Sequence, residues 1–184
     1  MKKRCEWAKD EPNTTYHDDE WGVPLHDDVG LFEFLILEGA QAGLSWRTIL
    51  NRRDGYRIAF SNFDVVAVSK YTQNHVKKLL QNKDIIRNKL KINSAINNAK
   101  QFVKIQQEFG SFDEYLWGFV NHKPIKNKFK KHSDLACSSI ISEKLSQDLK
   151  KHGFTFVGPI ICYSLMQAVG MVNDHTSDCY KYLK

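Results

Sequence analysis

Proline and glycine are scarce in this 184-residue chain, at four and ten residues. Collagen-like, low-complexity and turn-rich all-β architectures are therefore poor fits. Cysteine is equally sparse, and four residues over this length do not make the dense framework that staples small secreted domains. Long apolar runs are missing too. The most apolar stretch, 157–172, is short for a membrane span and contains Gly158, Pro159, Ser164 and Gln167. The opening stretch MKKRCEWAKD has no apolar segment of the secretory type, so the cytoplasm is the expected compartment and no membrane partner is expected. No linker rich in Ser, Gly or Pro and no internal repeat divides the chain, which reads as a single domain over 1–184.

What is present is a core-forming composition, 42% hydrophobic and 12% aromatic, with a modest excess of 27 basic over 21 acidic residues. A net charge of +6 favours a polyanionic partner. Hydrophobic spacing is helical almost throughout. Asp27 or Asp28 can cap a helix to about Gly39 with Leu31, Phe34 and Leu35 on one face. Ser45 can cap a second, carrying Trp46, Ile49, Leu50, Tyr56 and Phe60, and Thr72 a third with Val76, Leu79 and Leu80. A long helix follows, in which Ile92, Ala95, Ile96, Ala99, Phe102 and Val103 hold a 3.6-residue period. Gly110 ends it and Ser111 starts the next. Ile141, Leu145 and Leu149 mark another helix, closed by Gly153. Residues 159–171 are apolar on every side, as in a central buried helix, with Pro159 at its tolerated first position. A strand over 154–163 competes locally but lacks a convincing partner. The expected fold class is all-α.

Three features carry chemistry. Cys5 and His17 near one end, with His175 and Cys179 near the other, make up the donor set of a closed tetrahedral zinc site, and a helical turn at 175–179 would aim two donors at one point. Spacing alone leaves open two unrelated thiols and two surface histidines. Cys137 and Cys162 are expected to be buried, reduced core thiols. Glu38 falls on the apolar stripe of its helix and so points inward, where a carboxylate is costly without a purpose. With Tyr16, Trp21 and Trp46 it could surround a planar ligand; a carboxylate turning back to cap a backbone amide is the alternative. Lys77, Lys78, Lys83, Arg87, Lys89 and Lys91 stud two helices and their short turn, and Lys123, Lys126, Lys128, Lys130 and Lys131 crowd a later loop. A turn feeding a helix N-terminus presents free amides to an anion, and nucleic acid is the natural partner.

The stretches CEW, YHDDEWGVP, LFEFLILEGAQAGLSW, DIIRNKLKI, FVNH and GFTFVGPIICYSLMQAVGMVNDH together resemble the bacterial 3-methyladenine-DNA glycosylase I family, from Cys5 to Cys179. The resemblance implies the helix-hairpin-helix glycosylase fold, with the hairpin at about 76–104 and its turn matching 79–92. It also implies one structural Zn2+ per chain on Cys5, His17, His175 and Cys179, joining terminal segments 5–17 and 175–179. By the same resemblance the base pocket matches Tyr16, Glu38 and Trp46, and the loop filling the gap in the duplex matches Gly43 and Leu44. Two positions depart from the family pattern: Asn13 stands where a second tyrosine is common, and Asp84 where the hairpin glycine is expected. The first changes one pocket wall; the second brings a negative charge that should weaken phosphate contact.

Base chemistry in a duplex requires extruding the nucleotide, and N3-methylation leaves adenine cationic with a weakened glycosyl bond. The expected activity is monofunctional hydrolytic release of 3-methyladenine from alkylated double-stranded DNA, leaving an abasic site. Glu38 is the expected catalytic residue, with Tyr16 and Trp46 stacking on the base. Lys83, Arg87 and Lys89 are expected on phosphates. No lysine stands out as a Schiff-base nucleophile, and 92–104 holds no acidic residue to assist water. The rival readings are a zinc-stapled DNA-binding module without catalysis and a zinc hydrolase, the latter needing an open coordination position. A monomer is expected, since a single damaged base has no two-fold symmetry.

Overall fold

Local chemistry decides where most helices of this chain begin. In the computed structural model, which describes residues 2–182, ten α-helices occur among the described residues. They are α1 (Asn13–Asp19), α2 (Asp28–Gln41), α3 (Trp46–Leu50), α4 (Arg53–Ala59), α5 (Val65–Ser69), α6 (Gln73–Gln81), α7 (Lys89–Phe109), α8 (Phe112–Gly118), α9 (Ile140–Lys151) and α10 (Pro159–Ala168). Asp27 accepts from Gly30 N at 2.8 Å, Ser45 from Thr48 N at 3.2 Å and Ser111 from Glu114 N at 2.9 Å. Asn88 takes two orphan amides of α7, from Leu90 at 3.0 Å and Lys91 at 3.1 Å. Pro159 opens α10, where its missing N–H costs nothing. None of these helices is long and apolar enough to cross a membrane.

The core is built around α2, which is buried continuously from Leu31 to Ala40 and not along one stripe. Helices α3, α7, α8 and α10 pack on it, α9 lies against α10, and α5 and α6 lie against α7. Because α2 is enclosed on all sides, the inward direction of Glu38 is shared by its neighbours, and tertiary packing overrides the amphipathic pattern.

Several elements differ from the sequence expectation. The helix expected over 46–60 is two helices, α3 and α4, broken at Asn51 and Arg52. Helix α2 runs on through Gly39, Ala40 and Gln41, so the small-residue loop is shorter than its composition implies. Helix α10 stops at Ala168, and Val172–Asn173 pairs in parallel with Ile125–Lys126. This two-residue bridge (β1 with β2) is too short to show in a hydrophobic pattern, and it makes the chain mostly rather than wholly helical. Cys162 is buried as expected, but Cys137 is exposed, since its neighbourhood lies in the irregular segment between β1 and α9. His175 and Cys179 do not share a helix: they flank a turn in which Cys179 N donates to Thr176 O at 2.8 Å.

The two ends of the chain meet. Tyr180 N donates to Lys3 O at 2.9 Å, and the Arg4 guanidinium grips Asp18 of α1 at 2.7–3.0 Å. Gly22 closes the same corner: its φ of +75° suits glycine, and a Cβ there would lie 3.2 Å from His175 Nε2. Helix α1, the C-terminal half of α2, the start of α3 and one side of α10 are thereby arranged around a common hollow.

Candidate active site and metal cluster

The hollow is a cavity of about 400 Å³. Helix α1 contributes Asn13 and Tyr16, α2 contributes Glu38, α3 contributes Trp46, and α10 contributes Ser164 and Gln167. Tyr16 and Trp46 stand with ring centroids 5.2 Å apart at 51°, so they form two tilted walls. Tyr16, Glu38 and Trp46, far apart in sequence, are thus brought to one place.

Polar satisfaction singles out this cavity. Four buried side-chain polar atoms lack a partner among the described residues: Asn13 Oδ1, Glu38 Oε2, Trp46 Nε1 and Arg52 Nε. Such groups are uncommon in folded proteins because each forfeits its hydration. The first three all belong to residues lining the same cavity. Glu38 is only 4% exposed, and it does not turn back to cap its helix. Burial alone pushes its carboxyl up to about 8, which holds it largely protonated near neutrality. Burial first, and then the charge of Glu38, lifts the Tyr16 hydroxyl well above its ordinary range. Among the described residues no lysine lines the cavity, and Glu38 is the one carboxylate that does.

Cys5, His17, His175 and Cys179 form a second constellation behind this wall. All four are buried, and their ligand atoms lie within 4.8 Å of one another. His17 Nε2 lies 3.4 Å from Cys179 Sγ, and His175 Nδ1 lies 3.5 Å from Cys5 Sγ and 3.6 Å from Cys179 Sγ. The outward nitrogen of each ring is spoken for. His17 Nδ1 lies 2.9 Å from Asp18 Oδ1, and His175 Nε2 lies 3.1 Å from Trp21 O. That is how metal-bound imidazoles are oriented and their tautomers fixed. Burial pushes the Cys5 thiol up to about 12 and His175 down to about 4. A divalent cation is the partner that converts such thiols to thiolates. The cluster could hold a metal ion.

The expected DNA-contacting residues lie on two features. Gly43 has φ +77° in the turn after α2, and Leu44 beside it is 39% exposed, an apolar side chain presented to solvent. Lys83 and Arg87 line a concavity between α6 and α7 together with Arg52, whose unpartnered Nε is the fourth orphan. Lys89 is exposed at the first turn of α7. Asp84 is not among the residues of positive φ, so the turn runs without the conformation a glycine would supply. Lys91 is not a free surface charge: its Nζ donates to Ala40 O at 2.8 Å and Ala42 O at 2.7 Å, tying α7 to the end of α2.

Sequence reasoning missed Arg52, Gln167, Ser164 and the buried, unpartnered side-chain oxygen of Asn13. Gln167 had a usable signal, since it interrupts the apolar sequence of α10, the same logic that marked Glu38.

Comparison with known proteins follows the same lines. The family profile described as methyladenine glycosylase matches residues 7–182. The chain is 45% identical over 181 residues to DNA-3-methyladenine glycosylase 1 of Escherichia coli (strain K12), covering 98% of this chain and 97% of that protein. It is 41% identical over 180 residues to DNA-3-methyladenine glycosylase of Haemophilus influenzae, covering 97% of each. A solved structure of 3-methyladenine DNA glycosylase I from Staphylococcus aureus, concerned with recognition of 3-methyladenine, superposes with a TM-score of 0.95. Sequence identity there is 36%, with 98% of this chain and 97% of that one covered.

Proposed function

The chain belongs to the methyladenine glycosylase family, and on that premise we propose that it hydrolyses the N-glycosyl bond of 3-methyladenine in alkylated double-stranded DNA. The products are free 3-methyladenine and an abasic site. The observation that carries this reading is the grouping of three unpartnered buried polar atoms, Asn13 Oδ1, Glu38 Oε2 and Trp46 Nε1, on one cavity walled by aromatic rings. These groups have no protein partner among the described residues, and a flat polar ligand can satisfy all three at once.

Glu38 selects for charge. Burial keeps its carboxyl protonated near neutral pH; a cationic base restores the charged form by placing an opposite charge against it. Neutral adenine brings no such compensation and must also be unstacked from an intact pair. Tyr16 and Trp46 stack on the electron-poor ring. As the glycosyl bond breaks, positive charge moves from the base to the sugar, and the Glu38 carboxylate stabilises it from a fixed position. The leaving base is already cationic, so no strong acid is required. No lysine lines the cavity among the described residues, which supports hydrolysis without a Schiff base. Leu44 and Gly43 fill the gap left in the duplex, while Lys83, Arg87 and Lys89 neutralise phosphates at the helix-hairpin-helix formed by α6 and α7.

Cys5, His17, His175 and Cys179 would hold one Zn2+. Two thiolates and two imidazoles leave no position for water, so the ion would supply structural closure of the segments that bear them. The chemistry takes place on the other side of α1, at the face bearing Tyr16. Incubation with methylated duplex DNA and chromatography of released bases tests the reading. Wild-type protein is expected to release 3-methyladenine and Glu38→Gln to release it about 100-fold more slowly, the loss of one preorganised charge. A folded, metal-loaded wild type that releases none would leave only a DNA-binding module.

A further inference from the structure

Resting on that functional reading, we propose that Gln167 is a specificity-determining residue whose side-chain carbonyl, held in one orientation by Asp174, meets the base as a fixed acceptor. Gln167 lines the cavity from α10, as Tyr16 does from α1 and Glu38 from α2. Its Nε2 donates to Asp174 Oδ2 at 2.8 Å. Asp174 is 1% exposed, and its remaining contacts are also with donors: Tyr163 Oη at 2.8 Å and Asn127 Nδ2 at 2.7 Å. A carboxylate so placed only accepts. Turning the Gln167 amide over would set its carbonyl against the buried Asp174, two acceptors in contact, and leave the carboxylate short of a donor. The main chain is pinned as well. Gly22 N donates to Gln167 O at 3.0 Å, and Asp174 follows directly on the β1–β2 bridge. Gln167 Oε1, in contrast, has no hydrogen-bond partner among the described residues.

The cavity therefore carries two acceptors on different elements, Glu38 and Gln167. Adenine bears an amine at C6 with two N–H bonds to give; guanine bears a carbonyl there. An acceptor that cannot rotate rewards the first and repels the second, and discrimination of this kind is strong because the mismatch leaves polar groups unpaired. The class selected is an N3-methylated purine with a C6 amine.

Duplex DNA carrying both 3-methyladenine and 3-methylguanine, with release of each base followed as kcat/KM, tests the proposal on wild type, Gln167→Met and Asp174→Asn. Gln167→Met is expected to lower release of 3-methyladenine about tenfold while leaving 3-methylguanine unchanged or raised, so the selectivity ratio falls at least tenfold. Asp174→Asn can donate as well as accept and frees the amide to turn. Its ratio should fall in the same direction, with a smaller loss of 3-methyladenine release. Equal losses for both bases in Gln167→Met, at unchanged ratio, would mean Gln167 only shapes the cavity and would overturn the proposal. If Asp174→Asn does not fold, Gln167→Met decides alone. Wild type that releases neither base overturns the glycosylase reading and this one with it, whereas active wild type with an unaltered ratio in the variant overturns only the role of Gln167.

Discussion

Replacing Glu38 by Gln should stabilise the protein more as the pH rises. The carboxyl has an ordinary value of 4.5 and is raised by burial to about 8. A carboxyl whose folded value lies above its unfolded one keeps its proton in the fold while the unfolded chain has lost it. Stability is therefore unaffected below about pH 4.5, falls as pH rises through the window from 4.5 to 8, and levels off above it. Linkage puts the penalty at about 2 kcal/mol at pH 6 and at about 4–5 kcal/mol at pH 8–9. Glutamine has no such proton, so the difference between variant and wild type should widen by about 2–3 kcal/mol across that range. For a chain of this size the gap in Tm grows by about 5–10 °C. Thermal unfolding of both proteins from pH 5 to pH 9, at constant ionic strength and metal, reads this directly, because every other titrating group cancels in the difference. A gap that stays flat with pH would show that Glu38 ionises at its usual value. The account of its selectivity for a cationic base would then lose its foundation.

Lys91→Met removes the two hydrogen bonds to Ala40 O and Ala42 O, and a loss of about 1–3 kcal/mol in denaturant unfolding is expected, with a larger KM for DNA because the Gly43–Leu44 turn loosens. Asp18→Ala frees His17 Nδ1 and should weaken metal binding about 10–100-fold in competition with a chelator; unchanged affinity would remove Asp18 from any role in orienting that ring. Lys83→Ala should weaken DNA binding to methylated and unmethylated duplexes alike and reduce the salt dependence by about one unit of slope. A selective loss on methylated DNA would instead place Lys83 near the base.

Helix starts were legible because caps are local: Asp27, Ser45 and Ser111 each satisfy an amide three residues on, within reach of the same short segment. The inward direction of Glu38 was legible from its spacing to Leu31, Phe34 and Leu35, and the convergence of Cys5, His17, His175 and Cys179 from residue type together with the family resemblance. The break at Asn51 and Arg52 was not, since apolar spacing continues across it and only packing on α2 and α7 decides the bend. Helix α1, NTTYHDD, has no apolar stripe; its buried face is Tyr16 and His17, which take their place from the cavity and the cluster. Cys137 was misread because a thiol's burial depends on what covers it: Leu135 nearby packs against the core, while Cys137 itself is exposed. Convergence of α10 with α1 was invisible for the same reason, and with it the position of Gln167.

The cluster joining the two ends of the chain also sets an order of events during synthesis. His17 leaves the ribosome about 160 residues before His175, an interval of roughly 8–30 s at ordinary elongation rates. Tyr16 is its immediate neighbour, so the wall of the cavity that bears this ring is fastened last. A chain released before His175 would keep the basic residues Lys83, Arg87 and Lys89 yet lack half of the cluster behind this wall. Synthesis through Cys179 is thus a condition for closing that side of the cavity.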